Sequence, residues 1–256
     1  MVANGFKLSV LVVARNEEQN LEACLASASF ADELVVVLDR STDGSRAIAL
    51  GANAQILEGS WPNEGQRRNA GIACCSGDWI LELDADERIS VALRDELAER
   101  LPKAPPGHYV IPFRNHFCGR WVRHGWGAYN GVAAKSCLFA RGMKHWGDGA
   151  VHPVIELRGH KGWLNGHIDH YVDGDISAMM RRLDWYASGA ALNALADGKV
   201  PSAVNTLRRC LSRFLRSYLI KKGCLEGWRG LALALFSGLY PLLTYIKIHE
   251  IKSRKG

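Results

Sequence analysis

The sequence predicts an α/β fold with a mostly parallel central sheet flanked by helices and a helical C-terminal appendage, and three observations predict it. Four short apolar runs, residues 8–14, 33–39, 54–58 and 79–84, alternate with helix-type segments over the first part of the chain. Each run ends in polar residues, as strands do whose carboxyl ends open onto a ligand crevice. The composition, 48% hydrophobic and 23% charged over 256 residues, suits one sizeable core and excludes both a disordered chain and a polytopic membrane protein.

Taken in order, the first two runs are joined by a helix. Asn16 with Gln19 three positions on predicts a capped start, and Leu21, Cys24, Leu25 and Ala28 form an apolar stripe at helical spacing. Ser41-Thr42-Asp43-Gly44-Ser45 reads as a turn opening a second helix, and 63–75 as a third, ended by Ser76-Gly77-Asp78. A fourth helix is expected over 91–101. After a proline-rich shift at 102–106, the region 107–171 is rich in Gly, Trp and His, which predicts short strands and long, substrate-shaping loops. From 176 onward the chain reads as helical. The expected organisation is therefore a catalytic domain over 1–175, divided into a binding half 1–101 and an acceptor-side half 102–175, followed by a basic and apolar appendage over 176–256.

The net charge of +6 suits an anionic partner: a nucleotide, an acidic membrane surface or nucleic acid. Seven cysteines without a C-x-x-C pair suggest neither a disulfide framework nor a thiolate zinc site, and point to a reducing compartment. No basic region followed by an apolar core and cleavage site marks an export signal at the N-terminus.

The chemistry is expected at the strand ends. Asp84 and Asp86 follow the fourth run, and on an extended strand carboxylates two apart point the same way, so both can reach one hard divalent ion that bridges to diphosphate oxygens. Asp39 ends the second run and can accept from a ribose hydroxyl or a base N–H, or simply form the turn ahead of Ser41. Arg15, Asn16 and Glu17 end the first run and equally suit the first turn of a helix. In Gln66-Arg67-Arg68-Asn69, Gln66 and Asn69 share a helical face and an arginine can meet a phosphate. Histidines at 145, 152, 160, 167 and 170 lack the pattern of a catalytic zinc site, but one of them can serve as an extra ligand or phosphate contact. Trp121, Trp126, Trp146 and Trp163 are candidates for a sugar-stacking wall or for loop anchors.

Together, Val12-Val13-Ala14-Arg15-Asn16-Glu17-Glu18, Asp39-Arg40-Ser41-Thr42-Asp43-Gly44, Gln66-Arg67-Arg68-Asn69 and Gly77-Asp78-Trp79-Ile80-Leu81-Glu82-Leu83-Asp84-Ala85-Asp86-Glu87 resemble the family-2 inverting glycosyltransferases, in the branch of bacterial lipopolysaccharide-core β-1,4-glucosyltransferases. The resemblance implies a GT-A fold, a nucleotide sugar such as UDP-glucose, Mg²⁺ or Mn²⁺, and a glycolipid or core-oligosaccharide acceptor, with no nucleic-acid partner. By motif position, Ala14, Arg15 and Glu17 would line the base pocket, Asp39 would meet the uridine, and Gln66, Arg67, Arg68 and Asn69 belong to the nucleotide segment. Asp84 and Asp86 would serve the ribose-diphosphate and the metal, with His152 as a further ligand. Where this branch shows Val-His-Glu, the sequence has Val151-His152-Pro153, so the expected glutamate is absent. The candidates for general base are then Asp148, first because it lies in the loop Gly147-Asp148-Gly149, followed by Glu156 and Glu87.

The segment 230–248 is strongly apolar, broken by Gly238 and Pro241, and preceded by the cationic stretch 208–222. It reads as a peripheral anchor meeting anionic head groups on the cytoplasmic face of a bacterial inner membrane, or as a helix packed on the catalytic domain. Two other functions are compatible with the motifs: a non-catalytic nucleotide-binding protein of the same fold, and a metal-dependent phosphohydrolase.

Overall fold

The computed structural model describes residues 6–126, 131–148 and 154–255. The chain divides into two compact units, Met1–Phe113 with Ala133–His170, and Arg114–Val132 with Tyr171–Gly256.

The first unit begins with β1 (Leu8–Ala14), α1 (Glu18–Ser27), β2 (Glu33–Asp39), α2 (Ser45–Gly51), β3 (Gln55–Gly59), α3 (Glu64–Cys74) and β4 (Trp79–Asp84). These strands pair in parallel in the order β3-β2-β1-β4, so the carboxyl ends of β1, β2 and β4 share one edge. All seven residues of β1 are buried, because the strand is covered on both faces. On one face Val10, Val12, Val36, Leu81 and Leu83 pack with Leu21 and Leu25 of α1 and with Leu93 and Leu97 of α4 (Val91–Arg100). On the other, Leu11, Val13, Val35, Val37 and Ile80 pack beneath α3. Gly71 sets the height of α3, since a Cβ there would lie 2.6 Å from Leu11 and 2.7 Å from Val37. Asn63 caps α3 by accepting from Gln66 N at 2.9 Å, and Ser90 caps α4.

The amino ends of the same strands are tied by side chains. Glu33 accepts from the Ser9 hydroxyl and from Ser76 N and Oγ, both at 2.7 Å, while Asp32 and Asp78 accept from Leu8 N and Lys7 N at 2.8 Å.

Beyond β4 the pairing turns antiparallel. A two-residue turn leads to β5 (Glu87–Ile89); β6 (Gly107–Phe117) and β8 (Ala134–Ala140) extend the sheet from β4 as β4-β8-β6, with β11 (His160–Trp163) parallel to the start of β6. β12 (Ile168–Asp173) pairs with β5, and β9 (Lys144–Trp146) with β10 (Ile155–Leu157) as a separate hairpin. This parallel half followed by antiparallel strands, with helices on both faces, is the α/β architecture of GT-A type. Short strands were expected throughout 107–171, but β6 runs for eleven residues. Its alternation is hidden because the first five residues are all buried, and a strand buried on both faces shows no period of two.

The second unit has its own small core of Phe117, Val122, Met179, Ala232 and Leu233. It contains the end of β6 paired with β7 (Arg120–Trp121), then α5 (Ile176–Ala196), α6 (Ala203–Leu215), a π-helical turn Arg216–Ile220 and α7 (Gly227–Lys255). Residues 114–132 group with these helices rather than with the rest of the expected 102–175 half. Phe117 and Val122 bury against Met179 and Leu233, and Arg229 donates to the carbonyls of Phe117 and Cys118 at 3.2 and 3.1 Å. The helix α7 continues through Gly238 and Pro241, the two residues expected to break it. Gly238 is where α6 approaches: a Cβ there would lie 3.2 Å from Cys210 O and 3.4 Å from Phe214 Cβ. By length and composition, with a mean hydropathy of 1.6, the helical stretch Gly223–Arg254 is long and apolar enough to cross a membrane.

Candidate active site at the carboxyl ends of the strands

At the end of β1 the chain turns sharply. Asn16 is left-handed, with φ 55°, a conformation asparagine tolerates better than most residues. Instead of capping α1, as its spacing from Gln19 suggested, its Oδ1 accepts from Thr42 N at 2.8 Å, and α1 starts at Glu18 without a side-chain cap. The backbone N–H groups of Asn16, Glu17 and Glu18 donate in turn to Ser41, Ser45 and Asp43 at 3.1, 3.0 and 2.9 Å. The loops after β1 and β2 are thus latched into one rim. Ala14 is buried in the strand and Arg15 is exposed on this rim.

Asp39, at the end of β2, is 3% exposed and is gripped by Arg40 through both oxygens, at 2.8 and 2.9 Å, and by Arg67 at 3.2 Å. Burial works to raise its pKa, but the Arg40 bonds and the two guanidinium charges outweigh it, so the carboxyl is held below its ordinary value. The Nε of Arg67 is a buried N–H without a hydrogen-bond partner among the described residues. An orphaned donor beside an ionised aspartate is a place where a polar ligand gains a hydrogen bond that the protein does not supply.

The four residues Gln66 to Asn69 diverge. Gln66 is exposed, with Nε2 at 3.5 Å from Asp148 Oδ1, and Arg67 meets Asp39. Arg68 is buried between Glu64 at 2.9 Å and Asp84 at 2.7 Å and lies over the Trp146 ring. Asn69, grouped with the nucleotide segment from sequence, exchanges two hydrogen bonds with the backbone of Trp146, at 2.7 and 3.0 Å, and so fastens β9 to α3.

Asp84 and Asp86 part company because the backbone turns at Ala85-Asp86. Asp84 Oδ1 accepts from Arg68, and Oδ2 accepts from Lys135 at 2.9 Å. Burial disfavours its charge, yet the Lys135 and Arg68 charges hold its carboxyl well below the usual range. Asp86 faces His170, with Oδ2 at 3.4 Å from Nε2. Asp86, Glu87 and His170 each offer a ligand atom within 4.8 Å of the others. Glu87, 1% exposed, also accepts from Lys135 and from Asp84 N, the latter at 3.0 Å. Its pKa is raised, first by burial and then by the Asp84 charge. Burial disfavours protonation of His170, but the Asp86 and Glu87 carboxylates prevail and raise its pKa. Glu17 is raised as well, by burial and by the negative fields of Asp86, Asp84 and Asp43, against the bond from Asn20. Carboxylates therefore accumulate here beyond what Arg68 and Lys135 compensate. Hard oxygens with one imidazole suit Mn²⁺ or Mg²⁺.

Lys135 was not singled out for this place, and His170 was named only with four other histidines. Strand register explains both: β4 and β8 pair Leu81 with Leu138, so continuing three residues along each sets Lys135 opposite Asp84, and β12 pairs His170 with Glu87. His170 was one of five histidines of which one could serve as an extra ligand; a single lysine in a loop-rich region carried no signal. His152, the histidine proposed as a ligand, lies outside the described residues.

Next to Asp84 is a cavity of about 400 Å³, lined among others by Arg68, Glu87, Lys135, Trp146, Ile155 and Leu157. Beside it a buried Lys144–Glu82 pair is completed by Trp146 Nε1 donating to Glu82 at 3.0 Å. Glu156 turns away: Ile155 and Leu157 line the cavity, and side chains alternate along a strand, so Glu156 lies on the opposite face, paired with Arg158 at 3.2 Å. Asp148 is exposed beside the start of α3, where Asn63 Nδ2 donates to its carbonyl at 3.4 Å. Of the four tryptophans only Trp146 lines the cavity; Trp121 stacks on Arg114 and Arg123, Trp126 Nε1 donates to Val122 O at 2.6 Å, and Trp163 is exposed on β11.

Comparison with known proteins bears on this arrangement. Residues 9–143, more than half of the chain, match the family described as glycosyl transferase family 2. An uncharacterized glycosyltransferase of Rickettsia bellii (strain RML369-C) is 23% identical over 96% of this chain and 87% of its own length. The lipopolysaccharide core biosynthesis glycosyltransferase LpsC of Rhizobium meliloti (strain 1021) is 25% identical over 96% of this chain and 94% of its own. Among solved structures, glucosyl-3-phosphoglycerate synthase from Mycobacterium tuberculosis, crystallised with Mn²⁺, UDP and glucosyl-3-phosphoglycerate, is 23% identical over 44% of this chain and 45% of that chain, with a TM-score of 0.37.

Proposed function

The chain belongs to glycosyl transferase family 2 and is a glycosyltransferase, and on that premise we propose that it is metal-dependent and inverting, moving a hexose, glucose from UDP-glucose, to a lipopolysaccharide-core or related cell-envelope glycan. The observation that carries the metal and donor assignment is that one edge of the sheet holds both an orphaned Arg67 N–H beside Asp39, at the end of β2, and the Asp86, Glu87 and His170 ligand atoms beyond β4, with β1 between them. The printed role of the Rhizobium meliloti relative supports the acceptor class. Family membership sets aside the phosphohydrolase reading.

In this reading the rim formed by Arg15 and Glu17, with Ala14 buried behind it, borders the base, the Asp39 carboxylate held ionised by Arg40 and Arg67 faces it, and Arg67 donates from Nε. Asp86 and His170 would hold the cation. Glu87, already committed to Lys135 and the Asp84 backbone, adds negative field behind them. When bound, Mg²⁺ or Mn²⁺ supplies charge neutralisation of the departing diphosphate. Lys135 and Arg68 fix Asp84, and through it the turn that carries Asp86. The acceptor oxygen bonds to the anomeric carbon as the bond to the diphosphate oxygen breaks, and the acceptor proton passes to a carboxylate on the far side. Asp148 is that base: it is exposed in a loop beside α3, whereas Glu156 faces away and Glu87 is buried against Lys135.

Turnover of UDP-glucose with Mn²⁺ and a core-oligosaccharide acceptor tests this. Asp148→Asn lowers kcat by about 10²-fold with little change in KM for the donor, and Glu156→Gln leaves both intact. Equal activity of wild type and Asp148→Asn would remove Asp148 from the mechanism. The same reading puts the enzyme at the cytoplasmic face of the inner membrane as a peripheral protein, supported by the apolar helix Gly223–Arg254 and the basic stretch before it.

A further inference from the structure

Leu207, Leu211 and Leu215 recur every four residues on α6, and Leu231, Leu235 and Leu239 do the same on α7; each is between 38 and 62% exposed. Rows of this kind face water only at a cost, and soluble proteins rarely leave a contiguous apolar surface unused.

The two rows lie on one side of the helix pair. α6 and α7 run antiparallel: Gly238 meets Cys210 and Phe214, whereas Gly230, earlier in α7, meets Gly223, later in the chain than α6. The seam includes the buried Thr206 and half-buried Cys210 on α6, and the buried Ala234 and Gly238 on α7. Leu207, Leu211, Leu235 and Leu239 each immediately follow one of these residues, so on both helices the row lies about 100° round from the seam in the same rotational sense. For antiparallel helices, related by a two-fold axis normal to their common plane, equal rotation from the seam brings both rows to the same face. The opposite side is occupied otherwise, with Arg213 over the Tyr240 ring at 5.2 Å and Leu233 in the core with Met179 of α5.

Charge indicates what covers this face. Residues 203–222 include Arg208, Arg209, Arg213, Arg216, Lys221 and Lys222 and no carboxylate. Arg208, Arg216 and Lys222 are exposed and have no acidic partner among the described residues, while Arg209, four residues before Arg213, shares the opposite side with it. Long basic side chains beside an apolar row keep their heads among phosphates while the leucines enter the acyl boundary.

We propose that the α6–α7 leucine face is an in-plane docking surface for an anionic lipid bilayer, with α7 lying along the interface beside α6 instead of crossing it. A crossing α7 would have to withdraw Ala232 and Leu233 from Met179 and Gly238 from α6. The proposal deepens the peripheral-membrane reading and rests on it.

The test is flotation of the full chain with phosphatidylglycerol–phosphatidylcholine vesicles and with pure phosphatidylcholine vesicles, alongside UDP-glucose hydrolysis as a check on folding. Wild type floats with the anionic vesicles, is released by high salt or alkaline carbonate, and stays behind with the neutral ones. Leu207→Glu/Leu211→Glu and Leu235→Glu/Leu239→Glu each lower the bound fraction about tenfold or more at unchanged hydrolysis. Unchanged flotation of both pairs overturns the face while leaving a peripheral enzyme. Retention through carbonate overturns the in-plane mode. A wild type that ignores both vesicles overturns the face and the peripheral reading together, and a wild-type dimer dissolved by the glutamates without vesicle binding assigns the face to a second copy.

Discussion

Residues two apart on a straight strand share a face, and Asp84 and Asp86 would do so if β4 continued. It stops at Asp84, and the turn sends one carboxylate to Arg68 and Lys135 and the other to His170. The acidic pair, Asp39 and the arginine segment were legible in the sequence because they lie at strand ends and on the helix beside them. Lys135 was not, and His170 could not be told from the other four histidines, because strands formed much later in the chain bring both to the turn. Lys135 has the sharper consequence for stability. Glu87 is 1% exposed, and Lys135 is the cation that meets both it and Asp84. Lys135→Ala leaves Glu87 buried without that partner and costs on the order of 3 kcal/mol in urea denaturation. Adding Glu87→Gln recovers part of the loss, because the uncompensated charge is gone. Additive losses in the double variant would mean that the two side chains are not coupled.

The parallel strands were readable because each is short, apolar and bounded by turn residues; three of the four coincide with the expected limits, and β3 is shifted by one residue, to Gln55–Gly59. β6 was not, since burial on both faces erases alternation, and Asn16 misled because the same residue type serves a left-handed turn and a helix cap. The amino ends of the strands carry a testable latch in Glu33, whose carboxylate collects the Ser9 and Ser76 donors. Burial opposes its ionisation, but these hydrogen bonds, helped by Lys7, lower its pKa from the unfolded value near 4.5. A folded pKa below the unfolded one contributes stability that is present above the unfolded value and lost as pH falls through the folded one. Glu33→Gln therefore melts lower than wild type at neutral pH, by about 1–2 kcal/mol, and the two curves converge on acidification below about 4.5. A gap that stays constant down to strongly acidic pH would deny the latch its charge.

At the scale of the molecule, a helical end after residue 176 was visible from composition, while the membership of 114–132 in that unit was not. Phe117 and Val122 find their buried partners in helices that follow more than fifty residues later, and no local pattern announces such a pairing. The parallel half, β1 to β4, was the most legible part because its motifs fall in order along a single run of alternating elements. Family membership makes the chain a glycosyltransferase; in the proposed mechanism a cation held by Asp86 and His170 secures the nucleotide. Calorimetric titration of UDP into the full chain, with Mn²⁺ and then with chelator, tests it most directly. UDP is expected to bind with Mn²⁺ present, and chelator, Asp86→Ala or His170→Ala to weaken binding by about tenfold to a hundredfold each. UDP affinity that is the same in all four titrations would contradict it.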